Sequence, residues 1–291
     1  MVALAALSLA AATSLAAGSI DSTLADFADA GELRGRASTE VTCAARLVAL
    51  GEAAYEAQRY DLAERALRPA VVLWPDSARI WDLLGRALYR LGSYATAEAA
   101  IREALRRAPR KAAYYNHLGL VLLAANRPME AIANYFAALS IDPAYGEARY
   151  NLGYAYLGQR RYRMAEAEFR RALAYDGGFL RARHGLAVTL RQDGRYEEAL
   201  GELDTVLAAD SSFVDAYVER GFIGIQQRNY AMAEIEFRRA LGRKPSHAQA
   251  RYGLGLVLVS RREWVAAQRQ CDSLVAVDST LAGRLRRIIG P

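Results

Sequence analysis

Small residues recur at one interval along most of this chain: Gly51, Gly85, Gly119, Gly153, Ala187, Gly221 and Gly255 each follow the last by 34 residues. A second ladder runs through Ala63, Ala97, Ala131, Ala165, Ala199, Ala233 and Ala267. A third carries large apolar groups, Leu67, Ile101, Tyr135, Phe169, Leu203, Phe237 and Cys271, and a fourth sets Pro75, Pro109, Pro143 and Pro245 at unit ends. Such a period means one supersecondary unit repeated, and each unit must stack on its neighbours because alone it cannot bury its apolar side. Within a unit, Leu and aromatic residues fall three and four apart, which predicts two helices with one apolar stripe each. Small residues at the eighth and twentieth positions let those helices approach closely, and the terminal proline cannot continue a helix. The predicted fold class is all-α.

In one unit Trp81, Leu84, Gly85, Ala97, Ile101 and Pro109, and in another Leu152, Gly153, Tyr156, Ala165 and Phe169, fit the pattern W-x2-L-G-x2-Y, then A-x3-F, then P. The chain therefore resembles the tetratricopeptide repeat family. Seven units tile it without a gap, at 44–77, 78–111, 112–145, 146–179, 180–213, 214–247 and 248–281, about four fifths of its length. The resemblance implies a right-handed superhelical solenoid of antiparallel helix hairpins with a concave groove. Departures are few: Gly177, Ser211 and Ser279 replace the terminal proline, Arg220 takes a Leu site, and Gly224 replaces a large residue and leaves either a gap or a close contact, so the sixth unit is expected to be the loosest.

The ends differ from the array. Residues 1–17 carry no charge, and small residues around Ala16 and Gly18 suit a secretory cleavage site, so residues 1–18 are expected to be a signal peptide. No Lys or Arg precedes that run, which leaves an Ala-rich cytoplasmic leader as the alternative. Residues 19–43 are expected to form an N-terminal cap and linker, with Leu24 and Phe27 on a capping helix over 21–33 and a linker at 34–38. At the other end, residues 282–291 follow Leu281 with Leu285 and Ile288 at helical spacing, which predicts a C-terminal capping helix. Export from a bacterial cytoplasm would make the protein periplasmic or secreted.

Chemistry-bearing motifs are missing from the sequence. His117, His184 and His247 sit in three different units without a partner ligand at i+4, so no metal is expected. Two cysteines, Cys43 and Cys271, lie at opposite ends of the array and exclude a disulfide scaffold. No nucleophile elbow, P-loop or dinucleotide fingerprint occurs, so neither catalysis nor a cofactor is expected.

Partners of the family usually lie in the groove, against the second, fifth, ninth and twelfth positions of each first helix. Carried over, those positions collect Asn116, Leu120, Tyr150, Tyr154, Arg181, His184, Arg191, Phe222 and Tyr252 as the partner-binding set, with Tyr55, Arg79, Asp82 and Arg86 in the first two units. The charged members, Glu52, Arg79, Asp82, Arg86, Glu147, Arg181, Arg191 and Asp215, are four of each sign, so the groove is not net basic. Family members that grip chaperone tails need a set of Asn, Lys and Arg; Asn151 and Arg181 match, but Leu120 and Gly185 do not. The expected function is a non-enzymatic adaptor or assembly scaffold that holds a protein or peptide segment. Two alternatives are a recruiting module for a separate enzyme such as a glycosyltransferase, and a binder of anionic surfaces. The latter would use Arg127, Arg160, Arg161, Arg195, Arg228 and Arg262, which line the turns inside the hairpins. Nucleic acid is disfavoured, a membrane surface stays open for that edge, and no membrane span is expected.

Overall fold

The computed structural model describes the backbone of residues 37–290 and side chains from Thr42 onward. The expected leader at 1–18 and most of the expected N-terminal cap lie outside the described residues. Fifteen helices and no strands are found among the described residues: α1 (Ala37–Glu56), α2 (Tyr60–Leu73), α3 (Ala78–Arg90), α4 (Tyr94–Arg107), α5 (Ala112–Ala124), α6 (Pro128–Ile141), α7 (Gly146–Gly158), α8 (Tyr162–Tyr175), α9 (Leu180–Gln192), α10 (Tyr196–Ala209), α11 (Val214–Gln226), α12 (Tyr230–Arg243), α13 (Ala248–Ser260), α14 (Trp264–Val275) and α15 (Ser279–Ile289). The chain divides into two compact units, up to Ala155 and from Tyr156. Within unit 1, α1 packs on α2, α3 on α4 and α5 on α6; within unit 2, α9 pairs with α10, α11 with α12 and α13 with α14. First helices of successive hairpins also touch, α1 with α3, α3 with α5, α9 with α11 and α11 with α13, whereas within each unit the second helices do not touch one another among the described residues. The first helices thereby form the inner face of each unit.

The glycine ladder is explained by contact across each hairpin. A Cβ on Gly51 would fall 2.6 Å from Leu67 Cγ, one on Gly85 2.4 Å from Ile101 Cγ1, and one on Gly221 2.6 Å from Phe237 Cε1. Where the facing residue is Phe, the next hairpin gives way too: a Cβ on Gly253 would lie 2.3 Å from Phe237 Cζ, and one on Gly185 2.6 Å from Phe169 Cε1. Gly185 is thus the partner of Phe169. Tyr135 fills the same slot in its hairpin against Gly119; its hydroxyl is buried without a hydrogen-bond partner, and burial pushes its pKa well above the usual phenol value.

All seven turns inside hairpins share one geometry. Each first helix ends with a residue in the left-handed region, Gln58, Gly92, Asn126, Arg160, Gly194, Arg228 and Arg262, with φ between 57° and 82°. The following amide then bonds back five residues, as in Arg59 N–H to Ala54 C=O at 2.8 Å and Arg195 N–H to Leu190 C=O at 2.9 Å, which closes a Schellman motif. Connections between hairpins are tied differently. The planar or aromatic side chain at the fourth position donates to the carbonyl six residues earlier: Trp81 Nε1 to Pro75 at 2.8 Å, Arg149 to Pro143 at 2.7 Å, Arg183 to Gly177 at 3.1 Å, Tyr217 to Ser211 at 3.0 Å and Arg251 to Pro245 at 2.9 Å. Arginine therefore substitutes for the expected Trp without losing the tie.

Two sequence expectations, one at each end of the array, are corrected, and the alternative at Gly224 is decided. Helix α1 already begins at Ala37, so the last two residues of the expected linker at 34–38 are helical; neither Gly nor Pro interrupts residues 37–43. The sixth unit is not opened by Gly224: a Cβ there would meet the Ala233 backbone at 3.0 Å, so α11 and α12 approach closely. Arg220 is held by Asp204 and, at 3.4 Å, by the buried Glu236. The C-terminal helix starts at Ser279, which explains the missing proline there, and it buries Ala282 and Leu285 while Ile288 stays 46% exposed. A Cβ on Gly255 would touch Leu285 at 2.5 Å, and Cys271 Sγ donates to Ala282 C=O at 3.4 Å, so Cys271 is packed beneath the last helix.

Candidate functional site

The groove positions divide by burial. In unit 1, Asn116 is buried at 4% exposure and its Oδ1 accepts from Asn151 Nδ2 at 2.8 Å. Asn116 therefore ties α5 to α7, and the expectation that it faces a partner is withdrawn; Val218 in unit 2 is likewise core at 1% exposure. Leu120, Tyr150 and Tyr154 remain half-buried on the inner face, with the two tyrosine rings 4.8 Å apart. Deeper in, the buried Asp82 bonds His117 Nδ1 at 2.6 Å. Burial, reinforced by the Asp82 charge, raises the Tyr114 pKa; burial and Glu147 raise that of Tyr145.

Toward the start of unit 1 an open cleft of about 540 Å³ lies between α1 and α3, lined by Glu52, Tyr55, Glu56, Arg79, Asp82, Arg86 and Arg90 among others. Arg86 lies over the Tyr55 ring at 4.6 Å and Arg90 over Tyr60 at 4.7 Å, while Arg79 pairs with Glu52.

On the inner face of unit 2, Arg191 pairs with Glu219 at 2.6 Å, both mostly buried, and its guanidinium sits 5.8 Å from the Phe222 ring centre. Phe222 meets Phe237 edge-on at 5.2 Å. His184 packs 5.4 Å from Phe213; its Nε2 is buried without a partner, and burial lowers its pKa against the opposing pull of Glu219 and Asp215. Asp215 is held ionised by the hydrogen bond from His247, at 2.9 Å. Arg181 is exposed. Ile225, Tyr252, Leu256 and Val259 continue the face, half-buried against the core.

Two arginines of the hairpin turns, Arg127 and Arg195, are held in ion pairs. Arg127 pairs with Glu130 at 2.6 Å and Glu98 at 2.5 Å, and Arg195 with Glu198 at 2.7 Å and Glu166 at 2.6 Å. Those bonds lower the pKa of Glu130 and Glu198, and in Glu98 and Glu166 they outweigh burial. Arg161 stacks on Tyr156 at 4.8 Å. Arg160, Arg228 and Arg262 occupy the left-handed turn position itself. Sequence reading missed Glu98 and Glu166 because they come from the neighbouring hairpin, 29 residues away, whereas Glu130 and Glu198 follow their arginines within the same hairpin.

Among the described residues, no cluster of three or more His, Cys, Asp or Glu side chains is placed to hold a metal ion, and no helix is long and apolar enough to cross a membrane.

Helix hairpins stacked through small-to-large contacts, with half-buried aromatic and arginine side chains on an inner face, define a helical-repeat protein. The chain belongs to the tetratricopeptide repeat family, whose models match residues 48–112, 83–146, 116–174 and 225–276, and in a second form residues 156–218. Solved structures with a similar fold include a tetratricopeptide repeat protein from Parabacteroides merdae, with a TM-score of 0.72 at 18% identity over 84% of this chain and 98% of that one. PilW, a type IV pilus biogenesis factor, gives 0.65 at 23% identity over 74% and 98%. Pseudomonas aeruginosa pilF gives 0.59 at 17% identity over 71% and 95%. No curated protein matches.

Proposed function

We propose that this protein is a non-enzymatic adaptor that holds a segment of a partner protein against the inner faces of its helical repeats. The observation that carries the reading is the inner face of unit 2, where Phe222, Ile225, Tyr252, Leu256 and Val259 stay half-buried side by side with the exposed Arg181. Aromatic and arginine side chains of this kind anchor interfaces. An apolar strip with charged ends suits an amphipathic helix or an extended peptide.

The paired state of Arg127 and Arg195 weighs against a lipid or polyanion surface as the main partner. Recruitment of a separate enzyme stays within the adaptor reading, with the enzyme as the held chain, and export would place that meeting in the periplasm.

The test is affinity capture from the native host with the tagged full-length chain, comparing wild type with Tyr252→Ala/Leu256→Ala and with the outer-surface variant Arg163→Ala. A partner retained by wild type and Arg163→Ala but lost from the double variant at unchanged helicity is the expected result, about a tenfold or greater loss of affinity. Equal capture by all three would reject the inner face as the site.

A further inference from the structure

The cleft between α1 and α3 holds two guanidinium groups that its own acids leave alone. Of those acids, Glu52 is taken by Arg79 and the buried Asp82 by His117 at 2.6 Å. Arg86 and Arg90, one helical turn apart on α3, rest instead on the rings of Tyr55 and Tyr60, 4.6 and 4.7 Å from their centres. No carboxylate of the described residues lies within 4.0 Å of either; Glu56, exposed at the rim, does not join them. A guanidinium stacked by its face keeps its N–H edges for a carboxylate, which it can grip with two hydrogen bonds.

The spacing of the two arginines selects the shape of what they can hold. One turn of α3 sets the Arg86 and Arg90 Cα atoms about 6 Å apart. In an extended chain, side chains two residues apart point to one side and stand about 6.6–6.8 Å apart, so acids at alternate positions meet both guanidiniums at once. A helix, about 10–12 Å across, is too wide for a cleft of about 540 Å³ between two first helices that touch each other. A phosphate dianion suits the cleft less well. Glu52, Glu56 and Asp82 line the same space, and they repel two charges gathered at one point more than single charges spread over two arginines.

We propose that this cleft binds an extended acidic segment of a partner protein, with two carboxylates at alternate positions gripped by the N–H edges of Arg86 and Arg90. Tyr55 and Tyr60 hold the guanidiniums flat, so less side-chain freedom is lost when the segment arrives. The site is built from unit 1 alone. It rests on the adaptor reading only in that the segment belongs to another protein. Binding itself is measured with a synthetic peptide, so its failure is distinguishable from loss of capture through Tyr252 and Leu256.

The test is fluorescence anisotropy on the full-length chain with a labelled six-residue peptide of alternating glutamate and serine, against its glutamine and serine counterpart. The glutamate peptide is expected to bind about tenfold or more tightly, and Arg86→Gln with Arg90→Gln should abolish that preference at unchanged helicity. Removing the same charge elsewhere, in Arg106→Gln with Arg163→Gln, should leave the preference within about twofold. In the wild type the glutamate peptide should also slow amide exchange in the last turns of α1 and α3, a readout that needs no variant. Equal binding of the two peptides overturns the proposal, as does a preference that survives loss of both arginines. Exchange unchanged in α1 and α3 would place the peptide elsewhere and overturn it too. So would displacement of the peptide by an equimolar level of inorganic phosphate, which would mark a site for one compact anion.

Discussion

Phe237 shows how one side chain sets the composition around it. Its ring presses on Gly221 in its own hairpin and Gly253 in the next, so two glycines in different helices answer to one aromatic residue. Leu203 at the same register is followed by Glu219 where Gly253 would stand, so the size of one residue decides what the neighbouring hairpin can carry. His184 is the residue whose environment has the clearest measurable consequence. Its Nε2 is buried with no acceptor, and burial holds its pKa below the ordinary histidine value. The unfolded chain therefore takes up the proton first as pH falls, so the neutral histidine contributes stability above about pH 6.5 that is lost on going down toward its folded pKa. The slope cannot exceed about 1.4 kcal/mol per pH unit for one group. Urea midpoints from pH 7.5 to 5.5 should fall for the wild type and stay flatter for His184→Leu; parallel curves would show that the site does not disfavour the proton.

At the scale of the element, the recurring object is the Schellman turn that ends each first helix. Two of the seven turns place glycine in the left-handed position, Gly92 and Gly194, and the other five place Gln, Asn or Arg there. A residue with a Cβ pays roughly 1 kcal/mol in that region. Arg228→Gly and Arg262→Gly should each raise the urea midpoint, by about 0.5–1 kcal/mol, and Gly92→Ala should lower it by a similar amount. No change in either direction would mean that the arginine side chains make compensating contacts. The turn also settles the arginine-rich stretch 160–163: Arg160 is in the turn position, and Arg161 covers Tyr156. Its regularity is visible in the sequence as Gly, Asn, Arg or Gln two residues ahead of an aromatic residue in six of the seven hairpins and of Pro128 in the other. The pairs of Arg127 with Glu98 and of Arg195 with Glu166 are not, because those glutamates arrive from another hairpin.

At the scale of the whole molecule, stability in a repeat array is a sum of hairpins and their neighbour contacts, so damage stays local. The last hairpin owes its cover to α15, through Leu285 on Gly255 and Ala282 over Cys271. Leu285→Ala should cost about 2–5 kcal/mol, and the loss should appear in amide exchange across α13 and α14 while α9 and α10 keep their protection. Uniform loss across unit 2 would mean that the unit unfolds as one cooperative block.

The sequence by itself determined the hairpin, its length, its small-to-large contact and the family, because a 34-residue period repeats the same local and nearest-neighbour physics seven times over. It also indicated which helix face turns inward. Only the tertiary structure decided which inward residues stay accessible. Asn116 and Val218 occupy groove positions and are buried, whereas Phe222 and Tyr252 occupy groove positions and are not. For Asn116 the difference is made by what the adjacent hairpin presents, Asn151 to bond with, and that contact joins residues about a full repeat apart.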